Sequence, residues 1–153
     1  MSKLKTTILG IDSSSTNCGV SVYINGKFIE VKSLPFKGTF DFSKLNLIIK
    51  TFSELFDTYK PQMIVIEEAL SARNGKVTRT LNQIFGAILA VCCLKNIDYI
   101  SIHPSQVKSL VKIKHKEESL EKALELTGKN CNNNDESDSI LLVEAYKRLI
   151  NCK

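Results

Sequence analysis

Residues 62–70, QMIVIEEAL, constrain this chain most. Met63, Ile64, Val65 and Ile66 are apolar at both parities, so a strand built from them has no face for water. Such a strand belongs in the interior of a sheet covered on both sides, as a parallel strand between helices. Pro61 precedes the run and Glu67 ends it, which makes it too short for a buried helix. A carboxylate at the end of so apolar a strand is costly to bury unless it is paired or bound to a cation. Glu68 alternates to the other side, so one glutamate of the pair faces the site and the other does not.

The rest of the chain supplies partners for that strand. Residues 6–12 form an apolar, β-branched run that ends at Asp12, and Ser13–Asn17 reads as a polar turn. CGVSVYI and KFIEVKSL are two further strands joined by Asn25-Gly26, a type I′ hairpin signal. After a connection over residues 35–41, Asp41 is placed to cap a helix carrying Leu45, Ile48, Ile49, Phe52, Leu55 and Phe56, which stops before Pro61. Residues 71–79 read as a polar, basic loop, and TLNQIFGAILAVCCLKN as a long helix apolar over much of its circumference. DYISI is a fifth strand; Pro104 opens a short helical piece, KIKHK is a basic turn, and an amphipathic helix ends at Gly128. The last helix is ESDSILLVEAYKRLI. Three strands in a meander followed by alternating helices and strands predict an α/β fold with a five-stranded mixed sheet flanked by helices.

The length of 153 residues, with 43% hydrophobic and 24% charged, suits one domain over residues 1–153. The net charge of +5 is unevenly placed. Between Arg73 and Lys116 eight Lys or Arg face one acid, Asp98. Such a segment is either a solvated face or a footprint for nucleic acid. The five cysteines include no Cys-x-x-Cys, and adjacent Cys92 and Cys93 cannot both face inward, so they read as core or surface thiols in a reducing compartment. The N-terminus lacks an apolar leader, and an intracellular, soluble protein with no membrane segment is expected.

The candidates for chemistry are carboxylates: Asp12, one of Glu67 and Glu68, and the acids that open the last helix. Asp12 alone reads as a turn residue, and acids in a first helical turn stabilise a helix by about 0.3–1 kcal/mol. Asp135 and Asp138, three residues apart, share a helix face, whereas Glu136 is rotated about 100° from Asp135 and is the expected bystander. A sheet can bring a carboxylate from the first strand beside one from the fourth, and a helix packed on it can add a pair at i and i+3. Four clustered carboxylates repel and raise one another's pKa. A divalent cation relieves that, and hard oxygen donors favour Mg²⁺, with Mn²⁺ substituting. Two such ions about 4 Å apart can hydrolyse a phosphodiester.

Four stretches resemble the RuvC-like Holliday junction resolvases of the ribonuclease-H and integrase superfamily. ILGIDSSSTNCGVSVY resembles the first strand, its acidic residue and turn; IVIEEALSARN the fourth strand, its glutamate and loop; ISIHPSQVKSLV the fifth strand and its Pro-x-x-Val-Lys; NDESDSILLVEAY the final acidic helix. The compact chain resembles viral and phage members more closely. The resemblance implies a ribonuclease-H-like fold and a homodimer that nicks four-way DNA junctions symmetrically. Asp12, Glu67, Asp135 and Asp138 would hold two Mg²⁺ ions, with Lys108 and Lys116 as basic catalytic residues. Arg73, Lys76, Arg79, Lys108, Lys112, Lys114 and Lys116 would contact DNA, and the apolar helix over residues 81–94 would form the dimer interface. The chain departs from the family in two places. Ser13-Ser14 stands where Pro-Gly is usual, and Leu70 stands where bacterial members carry an aromatic at the junction centre.

Two other readings fit parts of the sequence. GIDSSSTN resembles the first phosphate loop of actin-like and sugar-kinase-like ATPases, but those need two such domains around a nucleotide. A non-catalytic DNA-binding protein would use the basic stretch and keep the acids as caps. His103, before Pro104, is more simply a satisfied surface histidine.

Overall fold

The computed structural model describes residues 6–14, 16–69 and 74–151. Arg73, Leu70 and Cys152 lie outside the described residues. In chain order the elements are β1 (Thr7–Asp12), β2 (Asn17–Ile24), β3 (Lys27–Pro35), α1 (Phe42–Tyr59), β4 (Met63–Glu67), α2 (Gly75–Leu94), β5 (Asp98–Ile102), α3 (Pro104–Val111), a 3₁₀ turn (Lys116–Glu118), α4 (Ser119–Thr127) and α5 (Asn134–Asn151). The five strands form one mixed sheet in the order β3-β2-β1-β4-β5. β1 runs antiparallel to β2 and parallel to β4, and β5 continues parallel to β4. This is the expected ribonuclease-H-like layout, with β4 an interior strand as its two-faced apolar sequence requires.

Strand parity divides the core. Leu9, Ile11, Ile64 and Ile66 pack on one face with Ile48, Phe52 and Phe56 of α1 and Ile84, Ile88 and Cys92 of α2. Val65 packs on the other face with Ile102, Val107, Leu141 and Leu142, under α3 and α5. Each such fully buried side chain contributes about 1.5–3 kcal/mol. Cys92 is fully buried and Cys93 exposed, as adjacency demands.

Local signals set most boundaries. Asn25 and Gly26 both have positive φ, 54° and 81°, as a type I′ turn needs. The Asp41 side chain accepts from the Lys44 amide, and Lys60 turns left-handed just before Pro61. His103 caps α3, accepting from the Ser105 amide. One boundary differs from expectation. Asn74 accepts from the Lys76 amide and starts α2 at Gly75, so Lys76 and Arg79 stand on its first two turns and not in a loop. Those turns are exposed and therefore polar, which left no apolar period to read. By length and composition α2 could cross a membrane, with 20 residues and a mean hydropathy of 1.5, and 22% of its apolar stretch is buried. In this fold its inner face lies on the sheet.

Helix α5 lies unusually close to that sheet. A Cβ on Gly10 of β1 would stand 2.3 Å from the Ser139 carbonyl oxygen, and one on Gly19 of β2 1.9 Å from that of Asp135. Ser21 donates to the Ser139 oxygen at 2.7 Å between these contacts. The two glycines admit the helix and the serine bonds it. Because Asp135 backbone atoms block any side chain at residue 19, Gly19→Ala is expected to destabilise the protein by about 1–3 kcal/mol or more. Gly75→Ala, which meets open space, should leave stability unchanged. Urea unfolding of both variants checks this.

Candidate active site

β1, β3, β4 and β5 all end at one edge of the sheet, where β2 begins. Asp12 and Glu67 are the last residues of β1 and β4. In the β1–β4 register Gly10 pairs Val65 and Ile11 pairs Ile66, so Asp12 and Glu67 follow on adjacent strands with the same parity. Both turn to the face covered by α5. Glu68 is exposed, and its amide donates to the Ile102 carbonyl.

The first turn of α5 completes the cluster. Asn133 accepts from the Glu136 amide at 2.9 Å and caps the helix. Asp135 and Asp138 share a face, as their spacing predicts, and each carboxylate is held by a neighbour. The Asn17 side-chain amide donates to Asp135 at 2.9 Å. The Ser119 hydroxyl, at the start of α4 and 1% exposed, donates to Asp138 at 2.5 Å. Both partners went unnoticed in the sequence, since Asn17 looks like a turn residue and Ser119 like a helix start. Glu136 turns away from this face, as expected. It is buried, accepts from the Ser33 hydroxyl at 2.5 Å and the Asn132 amide at 3.0 Å, and so ties the start of α5 to β3.

The electrostatics show that these acids act on one another. Asp12, 8% exposed, is pushed well above the usual carboxylate range, first by burial and then by the charges of Glu67, Asp138 and Asp135. A hydrogen bond with Asp135 adds to this. Burial pushes Glu67 up to about 7, the Asp138 charge adds to that, and Lys116 and Lys108 oppose it. Asp138 is also raised by burial, against the lowering effect of the Ser119 hydroxyl and Lys116.

Two lysines close one side. Lys116 Nζ lies 3.9 Å from Asp138 Oδ2 with its side chain 67% exposed, a loose contact free to move. Lys108, Lys116, Ser119, Glu67 and Asp138 line a cavity of about 220 Å³, with Val107, Ile113 and Leu141 as its apolar wall. Lys112 and Lys114 are exposed on the turn between α3 and α4. Glu118 holds that turn by accepting from the Lys114 amide at 2.8 Å. Lys76 and Arg79 stand at the start of α2, on the same sheet edge.

Among the described residues no three His, Cys, Asp or Glu side chains are gathered tightly enough to hold an ion as they stand. That agrees with their mutual repulsion, because coulombic coupling reaches well beyond a magnesium–oxygen distance of about 2.1 Å. The donor chemistry nevertheless fits a hard divalent cation. All four candidates are carboxylates, and three have pKa values raised first by burial and further by neighbouring negative charge.

The sequence and the fold are each similar to known proteins. Residues 8–124 match the family model described as crossover junction endodeoxyribonuclease RuvC. That stretch includes Asp12, Glu67, Lys108 and Lys116 and ends before α5. The RuvC of Hydrogenovibrio crunogenus is 28% identical over 120 residues, covering 72% of this chain and 66% of the relative, just under two thirds of its length. That of Brachyspira hyodysenteriae is 27% identical over 152 residues, covering 90% and 91%. The fold superposes on Thermus thermophilus RuvC in complex with a Holliday junction substrate with a TM-score of 0.82, at 15% identity and 96% coverage of both chains. The family model over residues 8–124 and these relatives show that the chain belongs to the RuvC family.

Proposed function

We propose that this protein resolves four-way DNA junctions by paired, symmetric nicks, with Asp12, Glu67, Asp135 and Asp138 holding two Mg²⁺ ions. The observation that carries this reading is the convergence of four carboxylates from β1, β4 and α5 on one sheet edge, beside Lys108 and Lys116. A cluster so costly without a cation is hard to explain as a set of helix caps. The chemistry magnesium supplies when bound is activation of water and stabilisation of the leaving 3′-oxygen.

The chain's own residues prepare that chemistry. Asn17 and Ser119 orient Asp135 and Asp138, so two of the four donors have fixed carboxylate planes. Such supporting hydrogen bonds typically contribute about 10- to 100-fold in metal affinity or activity. Lys108 and Lys116 place positive charge at the cavity wall, where a phosphate gaining charge in the transition state is stabilised. Lys112, Lys114, Lys76 and Arg79 extend the positive surface toward backbone phosphates, which positions DNA without reading its bases.

A homodimer suits a two-fold substrate, since each protomer can address one of two equivalent strands. α2 supports this assignment. Its inner face carries Ile84, Ile88, Val91 and Cys92, while Asn82, Gly86, Ala90 and Leu94 follow at four-residue spacing on an exposed outer face. Leu94 is 83% exposed. Gly86 and Ala90 let a second helix approach closely. Ala90→Glu should therefore give a monomer by analytical ultracentrifugation, with junction nicks no longer paired.

Asp12→Asn and Asp138→Asn should abolish magnesium-dependent nicking of a synthetic four-way junction while leaving gel-shift affinity within about threefold. Ser119→Ala should lower nicking about 10- to 100-fold, and Glu68→Gln should not change it. Undiminished cleavage by Asp138→Asn would remove this residue from the site.

Stability should depend on pH in a defined sense. An acid with a raised pKa in the fold holds its proton more tightly there than in the unfolded chain, so its contribution falls as pH rises between the two values. For Glu67 that window runs from 4.5 to about 7, and Asp12 and Asp138 act in the same direction. In EDTA, Tm should fall as pH rises from about 5 to about 7. Added Mg²⁺ should raise it more at the higher pH, because the cation binds the deprotonated cluster. A flat melting profile with no magnesium effect would contradict the metal assignment.

A further inference from the structure

The same edge of the sheet carries a second groove, on the side of α1 and α2 and away from the carboxylates. The first turn of α1 and the first two turns of α2 enclose it, and Phe40, Phe42, Leu45, Lys76, Arg79 and Gln83 are among its lining residues. Three features set it apart. Phe42, the first residue of α1, is 83% exposed although Phe36, Phe52 and Phe56 nearby are buried. Lys76 and Arg79 are three residues apart, so they project from one face of α2. Among the described residues, neither of these two side chains makes an ion pair or hydrogen bond. The acid in the groove, Asp41, is engaged by the Lys44 amide as the α1 cap.

An open aromatic ring beside two unpaired cations is the chemistry that holds single-stranded nucleic acid. A ring face stacks on any base, and cations on either side track the phosphates. Position favours the same ligand. α2 follows β4 in the chain, so the groove at its start lies at the same sheet edge as Glu67, on the opposite face. A protein partner would gain little from two unpaired cations with a single acid opposite, whereas a phosphate chain neutralises both. We propose that this groove is a subsite for unpaired DNA at the branch, where one base stacks on Phe42 and the flanking phosphates meet Lys76 and Arg79. It rests on the branched-DNA reading above and adds to it a place where a base outside the duplex is held.

The test uses the full chain in EDTA, with fluorescent oligothymidine and a matched linear duplex as probes and junction cleavage by the wild type in Mg²⁺ measured in parallel. Phe42→Ala should weaken oligothymidine binding about 10- to 100-fold, Phe42→Trp should restore it, and duplex affinity should stay unchanged. The Lys76→Ala, Arg79→Ala double variant should reduce the salt slope for oligothymidine by roughly 1.4, two phosphate contacts at about 0.7 each. The groove assignment is overturned if the wild type fails to bind oligothymidine or if Phe42→Ala leaves its affinity unchanged. It is equally overturned if Phe42→Ala weakens both probes together with dissociation of the dimer in sedimentation, which would make the ring a protein contact. Junction cleavage separates the two claims. Phe42-dependent oligothymidine binding without cleavage keeps the groove and removes the resolvase reading, and cleavage with Phe42-independent binding does the reverse.

Discussion

The close seating of α5 on the sheet, over Gly10 and Gly19, is the constraint on which the site depends. Any side chain at either position would collide with α5 main-chain atoms, and the displacement would fall at Asp135 and Ser139. The helix is then fastened from several directions. Ser21 bonds its backbone, Glu136 ties its start to β3 through Ser33, and Tyr23 donates to Glu144 at 3.3 Å further along. These contacts sit almost entirely at polar groups. They fix the helix in register as well as in distance, which apolar packing alone does less well. Register matters here because a rotation of one residue, about 100°, would exchange Asp135 for Glu136 at the cluster.

The cluster works against the fold that builds it. Three acids stand in surroundings that raise their pKa, and Glu67 adjoins a β4 interior that is otherwise apolar. The surrounding core offsets that cost. Leu9, Ile11, Ile64 and Ile66 point away from the carboxylates into the α1–α2 side, so the residues between the acids along each strand stabilise the opposite face. Strand alternation thus lets one six-residue segment, TILGID, serve both core and site.

Much of this was legible in the sequence because period-two patterning is a strong signal. The apolar run of β4, the Asn25-Gly26 turn and the five strands of a mixed sheet all follow from alternation and turn chemistry, whereas alternation said only that one of Glu67 and Glu68 faces the site, and the family resemblance chose Glu67. The i, i+3 spacing likewise separated Asp135 and Asp138 from Glu136. What stayed hidden was long-range. Asn17 and Ser119 meet their aspartates across 118 and 19 residues of chain, and a lone Asn or Ser carries no periodic mark. The beginning of α2 was hidden for a different reason. Its first turns, with Lys76 and Arg79, are solvent-facing and polar, and Asn74 as a cap reads the same as Asn in a loop. The glycines at 10 and 19 were visible as residues, but only the packing of α5 gives them a role.

The distribution of charge follows from the same geometry. A bare carboxylate cluster repels a phosphodiester, so attraction for DNA has to come from the surroundings until a cation neutralises the centre. The chain places it there. Lys108 and Lys116 flank the acids, Lys112 and Lys114 occupy the neighbouring turn, and Lys76 and Arg79 stand at the start of α2. The N-termini of α1, α2, α3 and α5 lie at the same sheet edge, where helix dipoles add partial positive charge. Lys116, 3.9 Å from Asp138 yet two-thirds exposed, belongs to both settings. It lowers the cost of the carboxylates when they stand alone, and under the proposed function it would turn to a phosphate once a cation took over that task. Under the proposed function, loading of the acidic centre and capture of DNA by its basic rim would therefore be coupled, because each removes a charge that opposes the other.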